Sequence, residues 1–444
     1  MNKNKISFRL VSFFLVLLVL IGLFCQPCLA AKPKLPDIKY ATDVCLYNLN
    51  SDKIIYKQSA DEDEVLFPAA AVKMTTGLIA CEMLSSRLEE KVLITAELLH
   101  GTEGATARLS PGMTVTVEEL LLALLCGGGN DAAIVLSKLC ADDTDAFVEL
   151  MNTKAKEWGL RSTEFTNPTG MDDKKMTSTL TDVLILSKLA AKNETYVRLS
   201  SAPHFSYGDS DTKIFNRNSL ISTYYADGYK NSAVKGLMCG NTDLGGYSVI
   251  AFAENGREQY ICIVIGAQKK DGKIYSYEYV NSMLSYAFAS FKYTKVLEAG
   301  ESICYTDVAI ASPDDGKETA RVLCIVSQDA FALIPSDVDV EQLEYKYYLH
   351  YDSLEAPLVA NTVVGGVDVI YDGEVIATSK LITKENVEPN SLLMFLENAK
   401  SFLGSRAVIL CVSFVALGLL LYFYLFLLKR HRKTVKNINY KNFY

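Results

Sequence analysis

An uncharged run of 22 residues near the C-terminus, residues 407–428, constrains this chain more than any other feature. As an α-helix it would extend about 33 Å, enough to cross a bilayer core about 30 Å thick. A basic cluster at 429–433 follows directly, as is typical of a cytoplasmic flank. The sequence predicts a transmembrane helix at 407–428 and a basic cytoplasmic tail at 429–444; the alternative is a buried core helix.

The N-terminus has the pattern of an export signal. Three basic residues, Lys3, Lys5 and Arg9, precede an uncharged run at 10–25, and small residues suited to cleavage end at Ala30. The run is short for a membrane span, although an uncleaved anchor is the alternative. We therefore predict a signal peptide at 1–30 and a single-pass protein of the cell membrane, with its body outside the cytoplasm.

The charge distribution argues against a nucleic-acid partner. Of the 44 basic residues, three lie in the first 30 positions and six in the last 16, whereas all 52 acidic residues lie between these segments. The body therefore carries a net charge of about -17 and would repel a polyphosphate. Half of the residues are hydrophobic, which excludes a disordered chain.

The cysteine pattern does not favour a metal site. Eight cysteines fall in the predicted ectodomain, with no C-x-x-C pair and no histidine at ligand spacing: Cys45, Cys81, Cys126, Cys140, Cys239, Cys262, Cys304 and Cys324. No metal and no cofactor are expected. Disulfides are chemically possible outside the cell, but the sequence cannot pair these cysteines, and most could simply be buried apolar residues.

The first part of the body predicts a mixed α/β fold. Helical patterns occur at 70–86, 117–126, 131–139, 145–158 and 180–191, and the capping box Thr116-Val117-Glu118-Glu119 opens the second. Strands are expected at 44–48, 53–58, 247–253 and 259–266, the last two joined by a turn containing Asn255-Gly256. Hairpins at both ends with helices between them favour an antiparallel sheet with helical layers.

The second part, about 293–388, predicts an all-β sandwich. Strand patterns at 321–327, 345–351, 367–371 and 374–380 include a tight Asp372-Gly373 hairpin. Residues 389–406 form a linker to the membrane helix. The predicted body thus has a first domain at 31–292 and a smaller β domain at 293–388.

Three segments could carry chemistry, although each has an ordinary structural interpretation. Residues 67–78 place a proline before a helix whose first turn ends in Lys73, which could be a solvent-facing lysine. Residues 124–133 contain three glycines before Asn130 and could form a plain interhelix turn; a phosphate loop is only weakly indicated. Residues 234–242 indicate an edge strand ending in a glycine.

Taken together, the three segments resemble the low-molecular-mass penicillin-binding D-alanyl-D-alanine carboxypeptidases, which have a transpeptidase/β-lactamase-like domain and a β-rich stalk. Their motifs are Pro-Ala-Ser-x-x-Lys, Ser-Gly-Asn and Lys-Thr-Gly. Residues 167–171 resemble the family's loop between the second and third motifs, and residues 216–224 resemble its approach to the third. Residues 354–367 resemble its stalk. The resemblance covers about residues 40–390.

The resemblance implies that most catalytic groups are missing. The nucleophile position is Ala70, whereas Lys73 keeps the general-base position. The second motif has Gly128 where the family has serine and retains Asn130. The third motif, which binds the substrate carboxylate, is replaced by Met238, Cys239 and Gly240.

Two functions remain open at this stage. The first is a membrane-anchored pseudoenzyme linked to peptidoglycan that acts as a binding or scaffold protein, with a peptidoglycan stem peptide or a cell-wall partner protein as its ligand. The second is an active serine-type D-Ala-D-Ala carboxypeptidase with a non-obvious nucleophile. The Cys239 thiol is one candidate, although packing or a disulfide with Cys126 is an alternative role.

Overall fold

A computed structural model describes residues 34–59, 66–208, 210–313 and 319–439. The chain divides into two compact units, residues 1–293 with 333–338 and residues 294–332 with 339–444. The predicted signal peptide at 1–30 lies outside the described residues.

The described chain contains long helices and many strands. The helices are α1 (Ala69–Leu84), α2 (Val117–Leu125), α3 (Asn130–Cys140), α4 (Thr144–Glu157), α5 (Leu180–Lys192), α6 (Glu194–Ser200), α7 (Tyr275–Ser290), α8 (Ser391–Leu403) and α9 (Arg406–Asn439). The strands are β1 (Asp43–Asn48), β2 (Lys53–Gln58), β3 (Lys91–Leu93), β4 (Thr114–Thr116), β5 (His204–Phe205), β6 (Ile214–Phe215), β7 (Val234–Thr242), β8 (Gly246–Asn255), β9 (Glu258–Ala267), β10 (Lys269–Lys270), β11 (Lys273–Ile274), β12 (Phe291–Leu297), β13 (Ser302–Ala309), β14 (Ala320–Val326), β15 (Ala330–Pro335), β16 (Glu344–Leu349), β17 (Ser353–Glu355), β18 (Val363–Tyr371) and β19 (Glu374–Thr383). The five helices predicted between residues 70 and 191 are confirmed as α1 to α5.

A five-stranded antiparallel sheet, in the order β2-β1-β9-β8-β7, forms the centre of the first unit. Strand β9 is apolar along most of its length, and its side chains alternate between two hydrophobic clusters. Ile261 and Ile263 belong to the cluster that contains α1 to α5, whereas Cys262 and Val264 belong to the cluster that contains α7. Both faces of the sheet are therefore buried, and the predicted α/β fold with an antiparallel sheet is confirmed.

Local sequence signals set the ends of several elements. Thr116 and Glu119 form both hydrogen bonds of the predicted capping box at the start of α2. Gly256 adopts a φ of 61° in the turn between β8 and β9, where a left-handed conformation suits glycine. Residues 275–290 form α7, a helix that the sequence pattern did not predict.

The second unit is built on a six-stranded sheet in the order β16-β18-β19-β14-β13-β17. Asp372 and Gly373 both have positive φ angles, 51° and 81°, which fits a tight hairpin turn between β18 and β19. The expected β-rich character of residues 293–388 is confirmed. Within the described chain, Arg406–Arg430 is a helix long and apolar enough to cross a membrane.

Candidate functional site

A cavity of about 340 Å³ opens beside the N-terminal half of α1 and the edge strand β7. Its lining residues are Lys73, Ala105, Gly128, Arg217, Ser219, Tyr225, Ala226, Cys239, Gly240, Asn241, Tyr247, Ile274 and Tyr277. The cavity therefore brings together residues from all three segments singled out in the sequence.

Ala70 lies in the first turn of α1, where it is almost fully buried. Strand β7 approaches this turn closely: a Cβ placed on Gly240 would be 3.1 Å from the Ala70 nitrogen and 3.4 Å from its Cβ. Glycine at 240 permits this approach because any side chain would press on the helix backbone. Ala70 thus lies next to Gly240, which lines the cavity, but the methyl side chain of Ala70 has no polar atom.

Lys73 reaches from α1 towards the cavity, and its Nζ donates a 2.6 Å hydrogen bond to the Thr169 carbonyl. Asn167 Oδ1 accepts hydrogen bonds from the backbone nitrogens of Thr169 and Gly170 and so orders this acceptor. The pKa of Lys73 is lowered from 10.5 to about 8, mainly by burial; Cys239 opposes this shift and the nearby Arg217 adds to it. At neutral pH the amine is still mainly an ammonium.

Gly128 and Arg217 share one region of the cavity wall. Gly128 has a φ of 65°, and a Cβ placed there would be 3.2 Å from the Cγ of Arg217. The Arg217 guanidinium lies 4.6 Å from the ring centroid of Tyr225, a cation–π distance. The arginine stem therefore lies next to the space that a side chain at 128 would need.

Asn130 is held by two contacts at the start of α3. Its backbone nitrogen donates to the Ala105 carbonyl at 2.7 Å, and its Nδ2 donates to the Glu103 carbonyl at 2.7 Å. The Oδ1 atom is buried and has no hydrogen-bond donor among the described residues. An unsatisfied buried acceptor of this kind is costly and is often found at functional sites.

Asp131 anchors the loop that contacts Asn130. Its carboxylate is almost fully buried and accepts hydrogen bonds from the backbone nitrogens of Ala107 at 2.9 Å and Leu109 at 3.0 Å, and from the Thr106 hydroxyl at 2.5 Å. These bonds tie residues 106–109 to the N-terminus of α3, where a negative charge is also favoured by the helix dipole.

The two non-glycine residues of the third motif, Met238 and Cys239, have different surroundings. Met238 is almost fully buried in the hydrophobic cluster of the helical layer and does not line the cavity. Cys239 lines the cavity, as does Tyr277. Burial raises the pKa of the Cys239 thiol, although Tyr277, Arg217 and Lys73 partly offset that effect. Cys126 and Cys239 both have free thiols.

The threonines that follow Lys73 do not offer a replacement hydroxyl to the cavity. Thr75 and Thr76 are fully buried, and their hydroxyls donate to the carbonyls of Ala71 at 2.9 Å and Pro168 at 2.7 Å. Both groups are engaged in the interior of the first unit.

The cavity has cationic groups and aromatic walls. Lys73 and Arg217 supply cationic groups, and none of the lining residues named above is Asp or Glu. Sequence reasoning did not single out Arg217 or Tyr277 for this role; the only signal was that Arg217 falls within the segment 216–224. Tyr277 lies on α7, which had not been recognised.

Substituting Asp131→Asn should lower the free energy of unfolding of the first unit by about 2–4 kcal/mol, because an amide offers one acceptor where the carboxylate uses two. Trp158 is the only tryptophan of the chain, so its fluorescence during urea unfolding reports on this unit. Asp145→Asn, in the exposed first turn of α4, is the matched control and should cost under about 1 kcal/mol. Equal losses in the two variants would contradict the anchoring role.

The lowered pKa of Lys73 should appear as a pH-dependent stability. Between the folded pKa of about 8 and the ordinary value of 10.5, the unfolded chain binds more protons, so the unfolding free energy should rise with pH. Across this pH range, the free energy of unfolding of the wild-type chain should rise by up to about 3 kcal/mol more than that of Lys73→Met. The same fluorescence-monitored unfolding measures it, and parallel pH profiles for the two proteins would disprove the shift.

Family models match most of the chain. Residues 30–269 match the model described as D-alanyl-D-alanine carboxypeptidase, and residues 291–389 match the model of the penicillin-binding protein 5 C-terminal domain. The first match alone covers more than half of the chain.

Individual relatives and solved structures from the same family are also similar to this chain. The chain is 26% identical to D-alanyl-D-alanine carboxypeptidase DacF of Bacillus subtilis over 80% of its length and 88% of the relative's. It is 27% identical to DacA of Escherichia coli, covering 80% and 85% of the two chains. Crystal structures of penicillin binding protein 5 from Haemophilus influenzae match with a TM-score of 0.61 and 26% identity, over 80% of this chain and 99% of the other. The resemblance and the transpeptidase/β-lactamase-like fold with a C-terminal β domain are confirmed, and the chain belongs to the D-alanyl-D-alanine carboxypeptidase family.

Proposed function

We propose that this chain is a membrane-anchored, extracytoplasmic pseudoenzyme of its family, which binds a peptidoglycan stem peptide or a cell-wall partner protein and does not form an acyl-enzyme. One observation carries the proposal: the family motif assigns the nucleophile to position 70, where this chain has alanine. Next to it, the Lys73 ammonium donates its hydrogen bond to a backbone carbonyl.

The physical reason is the absence of a nucleophilic oxygen. Acyl transfer needs a hydroxyl or thiol that attacks the amide carbon and a base that accepts its proton. A methyl group has no lone pair, and the hydroxyls of Thr75 and Thr76 are buried and bonded elsewhere. In subtilisin, loss of the serine nucleophile costs roughly 10⁶ in turnover, and losses of groups that act as a unit are not additive.

Binding can persist without that oxygen. The cavity keeps the cations of Lys73 and Arg217, which suit the carboxylates of a stem peptide, and the rings of Tyr225 and Tyr277 supply apolar walls. Met238 cannot pair with a carboxylate, so any carboxylate bound here would depend on the two remaining cations.

Two consecutive helices support anchoring to a membrane. Helix α9 contains the apolar segment Arg406–Arg430, and α8 precedes it with only Gly404 and Ser405 between them. One face of α8 is a continuous apolar stripe of exposed side chains: Leu392, Phe395, Leu396, Phe402 and Leu403. Such a stripe suits the interface of the bilayer that α9 would cross.

The nucleophile argument predicts the outcome of labelling with a fluorescent penicillin. The purified full chain should acquire no covalent label, whereas DacA of Escherichia coli, treated in parallel, is the positive control. Ala70→Ser should recover little label, because the second and third motifs are also altered. A stable β-lactam adduct on the wild-type chain would overturn the pseudoenzyme proposal.

Should such an adduct form, the second candidate function is an enzyme that uses Cys239, since this thiol lines the cavity near Lys73. Burial raises its pKa and so disfavours the thiolate that would attack. Mass spectrometry would locate the adduct, and its loss in Cys239→Ala but not in Cys126→Ala would assign the nucleophile.

The anchoring proposal predicts a graded result in membrane extraction. The full chain should remain in the membrane pellet after alkaline carbonate treatment, which strips proteins that are held only at the surface. A chain ending at Leu403 keeps α8 and should be released by carbonate, and one ending at Glu388 should be soluble without it. Carbonate release of the full chain would argue against a membrane-spanning α9.

A further inference from the structure

Two of the eight ectodomain cysteines lie directly opposite each other on neighbouring strands. Cys304 of β13 pairs with Cys324 of β14 in the antiparallel register. Directly opposite residues of an antiparallel pair project to the same face, with Cα atoms about 4.5 or 5.5 Å apart. Both spacings fall within the range of about 4.4–6.8 Å that disulfides span.

Two cysteines on adjacent strands do not always face each other, as a second pair shows. Cys45 of β1 and Cys262 of β9 also lie on adjacent strands, but Cys262 is opposite Leu46, one residue out of register. Their side chains therefore project to opposite faces, and they belong to different hydrophobic clusters. A disulfide between them would need a rearrangement of the sheet.

We propose that Cys304 and Cys324 form a disulfide that links β13 to β14 in the exported protein. The oxidant is a disulfide of the thiol–disulfide exchange type, either a protein dithiol oxidant or a small-molecule disulfide. The thiolate of one cysteine attacks the donor disulfide, forms a mixed disulfide and releases one donor thiol. The second cysteine then attacks its neighbour's sulfur and expels the other donor thiol. The pair loses two electrons and two protons, and the donor gains both.

The surroundings give the two sulfurs different roles. Cys304 is partly exposed and can meet a donor, whereas Cys324 is fully buried and can react only with Cys304. Burial raises the pKa of Cys324 to about 12 and raises that of Cys304, so the reduced pair is not stabilised as thiolates. A dithiol that resists ionisation favours a stable structural disulfide over a catalytic one, because a catalytic oxidant depends on a stabilised thiolate.

The test uses the purified full chain in detergent, incubated with oxidised glutathione, alkylated and digested with trypsin without reduction. Trypsin cuts between the two cysteines and places Cys304 in residues 296–317 and Cys324 in residues 322–346. Mass spectrometry should find these two peptides joined in most of the protein and separated after reduction. In Cys304→Ser, Cys324 should be alkylated only after denaturation.

Two controls make the result decisive. Cys45 and Cys262 should stay unlinked to each other under the same treatment, because their side chains face opposite sides of the sheet. The proposal is overturned if Cys304 carries only glutathione or the alkylating group, or if it links to a cysteine other than Cys324. A Cys126–Cys239 link that forms while Cys304 and Cys324 remain free would equally count against it.

Discussion

Burial of the central sheet on both faces is the constraint on which the first unit depends. Strands β8 and β9 are almost continuously apolar, so each face needs its own layer of helices: α1 to α5 on one side and α7 on the other. Packing α1 against the sheet brings its first turn to the edge strand β7, where Gly240 allows the backbones to approach. The cavity forms at this junction, so its geometry follows from the burial of apolar side chains.

Within the cavity, the groups that could attract a ligand differ from the group that acyl transfer requires. A buried ammonium next to a guanidinium is unfavourable by itself, which is why the pKa of Lys73 falls, and a hydrogen bond to the Thr169 carbonyl partly offsets the cost. An anion between Lys73 and Arg217 would relieve the same repulsion. Acyl transfer, in contrast, depends on an oxygen at one helix position, and no arrangement of cations can substitute for it. Under the proposed function, the two cations would still attract carboxylates although no acyl transfer takes place.

Much of this could be predicted from the sequence, for identifiable physical reasons. Helices α2 to α5 have regular apolar spacing, whereas α1 is a long, mostly apolar run that follows a proline. The hairpins have turn residues with strong conformational preferences. Helix α7 was missed because its tyrosine-rich sequence, Tyr275–Ser290, is apolar around much of its surface and has few helix-favouring residues. The roles of Arg217 and Asp131 also escaped prediction, because each depends on partners that are near only in the folded chain. Cysteine pairing is a similar case. Sequence spacing does not show which cysteines lie together, whereas the strand register of the folded chain shows which ones are directly opposite each other.

The left-handed backbone at Gly128 limits which side chain the chain can carry there. Only glycine adopts this conformation without cost, and a side chain there would also meet the Arg217 stem. A serine at this position would therefore strain the main chain and would require the Arg217 stem to shift by a few tenths of an ångström. A substitution confined to residue 128 would therefore lower the stability of the first unit.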